Sequence, residues 1–247
     1  MNTLNITKLS RKQPSFDIEG AKQNDTFLKE MFRSKEFHEQ RTDRPYSKRY
    51  EVLANNYEHS FWKYVQYGID SVTVDGLWLE FGVSHGNSAK YISSKIEETY
   101  YGFDSLQGLP DDWVRFEGDT EATKGAFSVG GHRPYIPYTN FKLIEGWFED
   151  TLETFLQENN EPCAFIHIDS DVYSSAKTVL HALHKHERLI PGTVILFDEF
   201  WGYEKYADHE YKAFKEFVEE HNIDFKWLAY TTGAAPWNGQ QASVVIR

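Results

Sequence analysis

From Gly76 onward the chain alternates short apolar runs with stretches whose apolar residues recur at helical spacing. GLWLEFG (76–82) is a run of buried-strand type, followed by a glycine-bearing turn and the helical stretch NSAKYISSKI. TYYGFD (99–104) is a second strand; FKLIEG (141–146) is a third, with a helix through Leu156 after it. CAFIHID (163–169) precedes a helix from about Ser174 to His186, and TVILFDEF (193–200) precedes one from about Glu210 to Glu220. DFKWLAY (224–230) and QASVVIR (241–247) flank a Gly/Pro/Asn-rich turn and read as a closing hairpin. Five strands that are apolar almost throughout, each followed by a helix or turn, predict a parallel sheet covered on both faces, and the hairpin adds an antiparallel last strand.

Two segments depart from this rhythm. Residues 1 to about 45 are polar and charged, the pattern of a loosely held arm plus a helix, and YEVLANNYEHSFWKYVQY (50–67) places Val52, Leu53, Phe61, Trp62 and Val65 at amphipathic helical positions. The aromatic Phe61, Trp62 and Tyr64 are expected at the surface, as an oligomer contact. Residues 105–140 are rich in Gly and Pro and too long for an ordinary connection, so they form either a lid or a disordered loop, and a lid is expected. The division predicted is an N-terminal arm with helices (1–70), acting as substrate cap or oligomer contact, and an α/β domain (71–247) carrying the lid.

In an open parallel sheet, ligands bind beyond the carboxyl ends of the strands. Those ends carry Glu80, Asp104, Glu145, Asp169 with Asp171, and Asp198 with Glu199. Each acid alone reads as a helix cap, but like charges gathered at one rim call for a cationic partner. The first turn, EFGVSHGNS, sets Gly82 and Gly86 four residues apart, with Asn87 or Ser88 to cap the next helix and leave free N–H groups for an anion. It is not G-x-G-x-x-G, so no dinucleotide diphosphate is indicated. Asp104 stands where an acid accepts ribose hydroxyls, which together with the turn points to a nucleoside cofactor without a diphosphate.

Composition narrows the choice. The net charge of −12, from 38 acidic and 26 basic residues, disfavours nucleic acid and anionic membranes as partners. The single Cys163 excludes an internal disulfide and suits a reducing compartment; with no apolar leader or span in the sequence, the expected location is the cytoplasm. His181, His184 and His186 lack His-x-x-x-His spacing and read as a solvated helix face; His167 reads as core, and His85 is an open choice between cofactor contact and bystander. His132 and His209 are weaker candidates to face a substrate, and Cys163 reads as structural.

The blocks LEFGVSHGNSAKYI, YGFDSLQGLPDDW, KGAF, IEGWFEDTL, FIHIDSDVYSSAKTVL and PGTVILFDEFWGY resemble, in order over about residues 47–247, those of class I S-adenosylmethionine-dependent methyltransferases of the macrocin O-methyltransferase type. The resemblance implies a Rossmann-like seven-stranded sheet with the last strand antiparallel, helices on both faces and an N-terminal helical extension. It implies that Glu80, Gly82, Gly86 and Ser88 surround the methionine part of the cofactor, with His85 of the same turn a candidate contact on its position alone. Asp104 and Ser105 would then meet the ribose, and Gly146, Trp147 and Phe148 would flank the adenine. It further implies magnesium on Asp169 and the pair Asp198-Glu199, where comparable chains have Asp-Asp, with Asp171 as rival ligand or general base. The expected catalytic set is therefore Asp169, Asp171 and Asp198, and Asp169 also touches the cofactor.

The expected reaction is metal-assisted methylation of a hydroxyl on a small molecule, a sugar or phenol-like group of a secondary metabolite, by a homo-oligomer. A nicotinamide-dependent oxidoreductase on a related sheet and a non-catalytic cofactor-binding protein are the rivals.

Overall fold

The computed structural model describes residues 7–8, 61–230 and 240–247. The expected helix before residue 61, most of the N-terminal arm and the turn of the closing hairpin lie outside the described residues. The strands are β1 (Thr7–Lys8), β2 (Leu77–Phe81), β3 (Tyr100–Asp104), β4 (Phe141–Glu145), β5 (Cys163–Ile168), β6 (Val194–Trp201), β7 (Phe225–Tyr230) and β8 (Gln240–Ile246). The helices are α1 (61–70), α2 (Asn87–Ser93), α3 (Phe148–Glu158), α4 (Tyr173–Lys185) and α5 (Glu210–His221).

All strands join one sheet in the order β1-β7-β8-β6-β5-β2-β3-β4. Strands β2 to β6 pair in parallel, while β8 runs antiparallel to both its neighbours, β6 and β7. Seven strands thus form the expected Rossmann-like sheet. The eighth, β1, departs from the sequence reading: two residues of the arm pair with Ala229 and Tyr230 and extend the edge. Order reverses between β2 and β5, which puts the topological switch point, and hence the expected ligand crevice, beyond their carboxyl ends.

The twofold alternation of each strand sorts its side chains between two cores. Leu77, Leu79 and Phe81 of β2, with Ile195 and Phe197 of β6, pack under α3, α4 and α5, against Leu156, Leu180 and Phe214. Trp78, Leu196 and Leu228 pack on the opposite face against Tyr64 and Val65 of α1 and Ala89 and Ile92 of α2. Tyr64 is therefore not exposed as the sequence reading expected. It is 0% accessible, and its hydroxyl donates to the carbonyls of Ala242 (2.6 Å) and Phe197 (3.2 Å), because its position on α1 points at the sheet. Phe61 and Trp62 are half-buried, and Trp62 stacks on Tyr91 at 4.5 Å.

The segment 105–140 contains no regular element, yet it is held in place. Leu106, Leu109, Trp113 and Ala122 are buried. Leu109 and Ala126 are linked by a backbone bond of 2.9 Å, as are Trp113 and Ala122 at 2.8 Å. It is also tied to the chain after β6: Trp113 Nε1 donates to the Tyr203 hydroxyl (3.3 Å), Lys205 N to the Arg115 carbonyl (3.0 Å), and His209 Nε2 lies 3.0 Å from the Val114 carbonyl.

Candidate active site

A cleft of about 350 Å³ opens at the switch point. Its floor is built from the residues that leave each parallel strand: Gly82 after β2, Asp104 and Ser105 at β3, Gly146 after β4, Asp169 after β5, and Asp198 with Glu199 in β6. Gly82 sits at φ 98°, and a Cβ there would overlap the Asp169 carbonyl, so only glycine lets the β2 and β5 loops converge.

Asp104 braces two loops. Its Oδ2 accepts the N–H groups of Val83 and Ser84, each at 2.7 Å, and its Oδ1 accepts that of Leu106 at 2.6 Å. The carboxylate expected to wait for a ribose is thus also the keystone of the β2 and β3 turns. Ser105, Gly146, Trp147 and Phe148 line the cleft beside it.

The other end of the cleft is acidic. Asp169, Asp171 and Glu199 bring one oxygen each within 4.8 Å of one another. Asp171 has φ 60°, and Val172 N bonds to the Ser170 carbonyl at 2.6 Å; this tight turn places Asp169 and Asp171 on the same cavity. Strand β6 does not end at the acidic pair, as the sequence reading had it, but continues to Trp201, with its pairing to β8 irregular between Phe197 and Trp201. That irregularity releases Asp198 and Glu199 from strict alternation, and both line the cleft. Gln241 Nε2 donates to Asp198 Oδ1 at 3.1 Å.

Burial dominates the electrostatics of this end. Desolvation, reinforced by Asp198 and Asp171, raises Asp169 well above the usual carboxylate range, and Glu199 is raised by desolvation and the same acids. Asp171 is pushed up to about 7 by burial and Asp198, with Arg115 opposing. Arg115 is itself engaged by Asp119 (2.7 Å) and Glu121 (3.3 Å). Glu199 Oε2 has no hydrogen-bond partner. Oxygen-only, like-charged and under-partnered, this donor set is chemically suited to a hard divalent cation.

Other expected site residues go elsewhere. Glu80 is fully buried on the α1 face of the sheet, 3.1 Å from His167 Nδ1, and Glu145 points outward to Arg133 at 2.9 Å. The reading of five strand-end acids as one rim is thus corrected: alternation sends Glu80 beneath the sheet, and β4 lies near its edge. His85, Gly86 and Ser88 are not among the residues lining the cleft; His85 is exposed beside Ser84. Gly86 itself is the N-cap of α2, at φ 75°, and neither Asn87 nor Ser88 caps the helix. His132 is exposed, and His209 is buried against the insertion. Cys163 is a buried thiol pushed up to about 12 by burial.

The structure also adds residues that the sequence did not single out. Leu109, Pro110, Trp113 and Phe127 of the insertion wall the cleft, and Phe127 is 51% exposed there. Glu210, at the start of α5, is fully buried and accepts Ser170 N (3.0 Å) and Oγ (3.3 Å), and burial raises it to about 8. The wall was legible only as the expected lid 105–140 and the blocks SLQGLPDDW and KGAF, without its residues being singled out; Glu210 left no signal beyond opening a helix.

A Rossmann-like sheet with its cleft at the switch point, an acid bracing the β3 turn and acids after β5 and in β6 is an architecture that holds a ligand beyond the carboxyl ends of its strands. The family described as methyltransferase domain matches residues 79–200, the stretch that holds every one of these floor residues. Over that stretch the chain carries a methyltransferase domain. Among solved structures, calicheamicin methyltransferase CalS11 is similar at 19% identity with a TM-score of 0.60, over 96% of this chain and 99% of that one. The apo form of CalS11, described as TDP-rhamnose 3'-O-methyltransferase, gives 20% and 0.52 over 93% and 96%. The O-methyltransferase NovP gives 17% and 0.50 over 76% and 78%. No curated protein sequence matches the chain. Among the described residues no helix is long and apolar enough to cross a membrane.

Proposed function

We propose that the chain methylates a hydroxyl oxygen of a small molecule, a sugar or phenol-like group of a secondary metabolite, with assistance from a divalent metal. The carrying observation is the acid group of half-buried Asp169 and Asp171 with buried Glu199, beside Asp198, in the cleft. A cofactor site alone does not need so many carboxylates, whereas a metal-bound hydroxyl does.

The cofactor would lie over Gly82, Asp104 and Ser105 with its adenine between Trp147 and Phe148, which supply apolar faces for a base. Asp169, Asp171 and Glu199 would hold Mg2+, which supplies polarisation of the acceptor hydroxyl and lowers its pKa. Asp198, fixed through Oδ1 by Gln241, is the carboxylate left to receive the hydroxyl proton. Trp113 and Phe127 of the lid cover the acceptor and exclude water, so that holding oxygen, methyl carbon and sulfur in line contributes most of the rate. The N-terminal segment completes the cap or an oligomer contact. The fold shared with a TDP-rhamnose 3'-O-methyltransferase makes nucleotide-activated sugars the first acceptor class to assay.

Calorimetry with S-adenosylhomocysteine, followed by transfer assays on hydroxylated acceptors with Mg2+ or chelator, tests the reading. Binding of the cofactor together with transfer abolished by chelator is expected. Binding without any effect of metal removal on transfer eliminates the metal role; failure to bind while NAD binds returns the chain to the oxidoreductase reading.

A further inference from the structure

The sequence places His181 and His184 on a helix whose histidines lack a ligand spacing of their own. The fold supplies the missing partner from another element: α5 ends on Glu220 and His221, which lie against α4. His181 Nδ1 and His221 Nε2 are 3.4 Å apart. Glu220 contributes Oε2 at 4.0 Å from His181 Nε2 and Oε1 at 3.8 Å from His221 Nε2. The His184 ring lies 4.1 Å from that of His221, and all three imidazoles pack around Phe217 at 5.2 to 5.7 Å. These histidines are half-buried, not a solvated face.

We propose that His181, His221 and Glu220 form a zinc site that clasps α4 to α5 on the side of the molecule away from the methyl-transfer cleft. Two nitrogens bound tetrahedrally to zinc at about 2.0–2.1 Å stand about 3.4 Å apart, the spacing found here without any rearrangement. Glu220 is 59% exposed, and its Oε1, 3.8 Å from His221 Nε2, is free to swing onto the same ion. The His181–His221 contact is long for a hydrogen bond between two rings that gain little from each other. Imidazole nitrogens with one carboxylate select zinc over magnesium, so this site and the all-oxygen group of the cleft are chemically distinct. His184 is a packing neighbour that orients His221.

The test uses the full, untagged chain stripped with chelator and titrated with Zn2+, and with Co2+ as a visible-absorption probe, in excess Mg2+. One zinc per chain is expected, with tetrahedral Co2+ bands, and a rise in thermal midpoint of about 5 °C at saturating zinc. His181→Gln and His221→Ala should each weaken zinc binding at least tenfold and abolish the thermal rise, while S-adenosylhomocysteine binding persists as the check on folding. Glu220→Gln should weaken zinc binding less than either. Zinc binding that survives both histidine substitutions but disappears in Asp169→Asn assigns the ion to the cleft and overturns the proposal, as does the absence of any stoichiometric binding to the parent chain.

Discussion

Glu210 holds Ser170 by two hydrogen bonds, one from the backbone N–H at 3.0 Å and one from the hydroxyl at 3.3 Å. Ser170 stands between Asp169 and Asp171, so a side chain on α5 sets the turn that aims both cleft acids. Glu210→Ala leaves a buried N–H unpaired and should cost about 1–3 kcal/mol of stability. Glu210→Gln keeps an acceptor and should recover most of that loss. Urea unfolding of the two variants checks this; equal destabilisation would mean that the bond to Ser170 is not what matters.

Asp198→Asn preserves shape and one acceptor but cannot take a proton. Transfer should fall by about 10²–10⁴-fold, with S-adenosylhomocysteine affinity within a few-fold of the parent. Calorimetry beside a single-turnover assay separates the two, and retained turnover would remove Asp198 from proton transfer.

Asp171 at about 7 and Glu210 at about 8 are raised mainly by burial. Their unfolded values lie near 4, so between those limits the folded chain binds more protons than the unfolded one. Their contribution to stability is complete below the unfolded pKa and is lost as pH rises through the folded pKa. In chelator, unfolding free energy should therefore drop between pH 5.5 and 8.5 by on the order of a few kcal/mol. Saturating Mg2+ should flatten the slope, because an ion among the acids replaces the protons. A metal-free chain that gains stability over this window contradicts the assignment.

Trp113→Ala removes the largest apolar wall of the insertion, together with its bond to Tyr203. The acceptor KM should rise at least tenfold while cofactor affinity changes little. Steady-state kinetics with each substrate varied in turn gives the answer, and an effect confined to the cofactor would relocate the acceptor.

Tyr64→Phe deletes one hydroxyl and leaves the Ala242 carbonyl without that donor. A loss of about 1 kcal/mol is expected in denaturant unfolding. No change would show that α1 docks through apolar contact alone.

The sheet was readable in advance because its central strands, buried on both faces, leave nearly continuous apolar runs such as LWLEF and CAFIHI, while β4 at the edge is part-exposed along its length. Asp169, Asp171, Asp198 and Glu199 were readable because topology alone brings strand ends together. What failed was direction. Glu80 sits one residue before the carboxyl end of β2, and a period of two turns it to the far face and His167. Tyr64 was misplaced for the same reason on a helix, where the inward stripe covers more of the circumference than the strongest apolar positions mark. Glu210 and the pairing of His181 with His221 were invisible because they depend on which helices become neighbours, and nothing in local spacing records that.

The ties from Trp113, Val114 and Arg115 to Tyr203, His209 and Lys205 fasten the wall of the cleft to the strip of chain that runs from Glu199 to Glu210. The wall is therefore not a flap on a separate hinge. Lifting it to discharge product strains the strip that carries the acids at either end, so opening and disarming become a single mechanical event, and an amide-exchange experiment should see both stretches loosen at one rate.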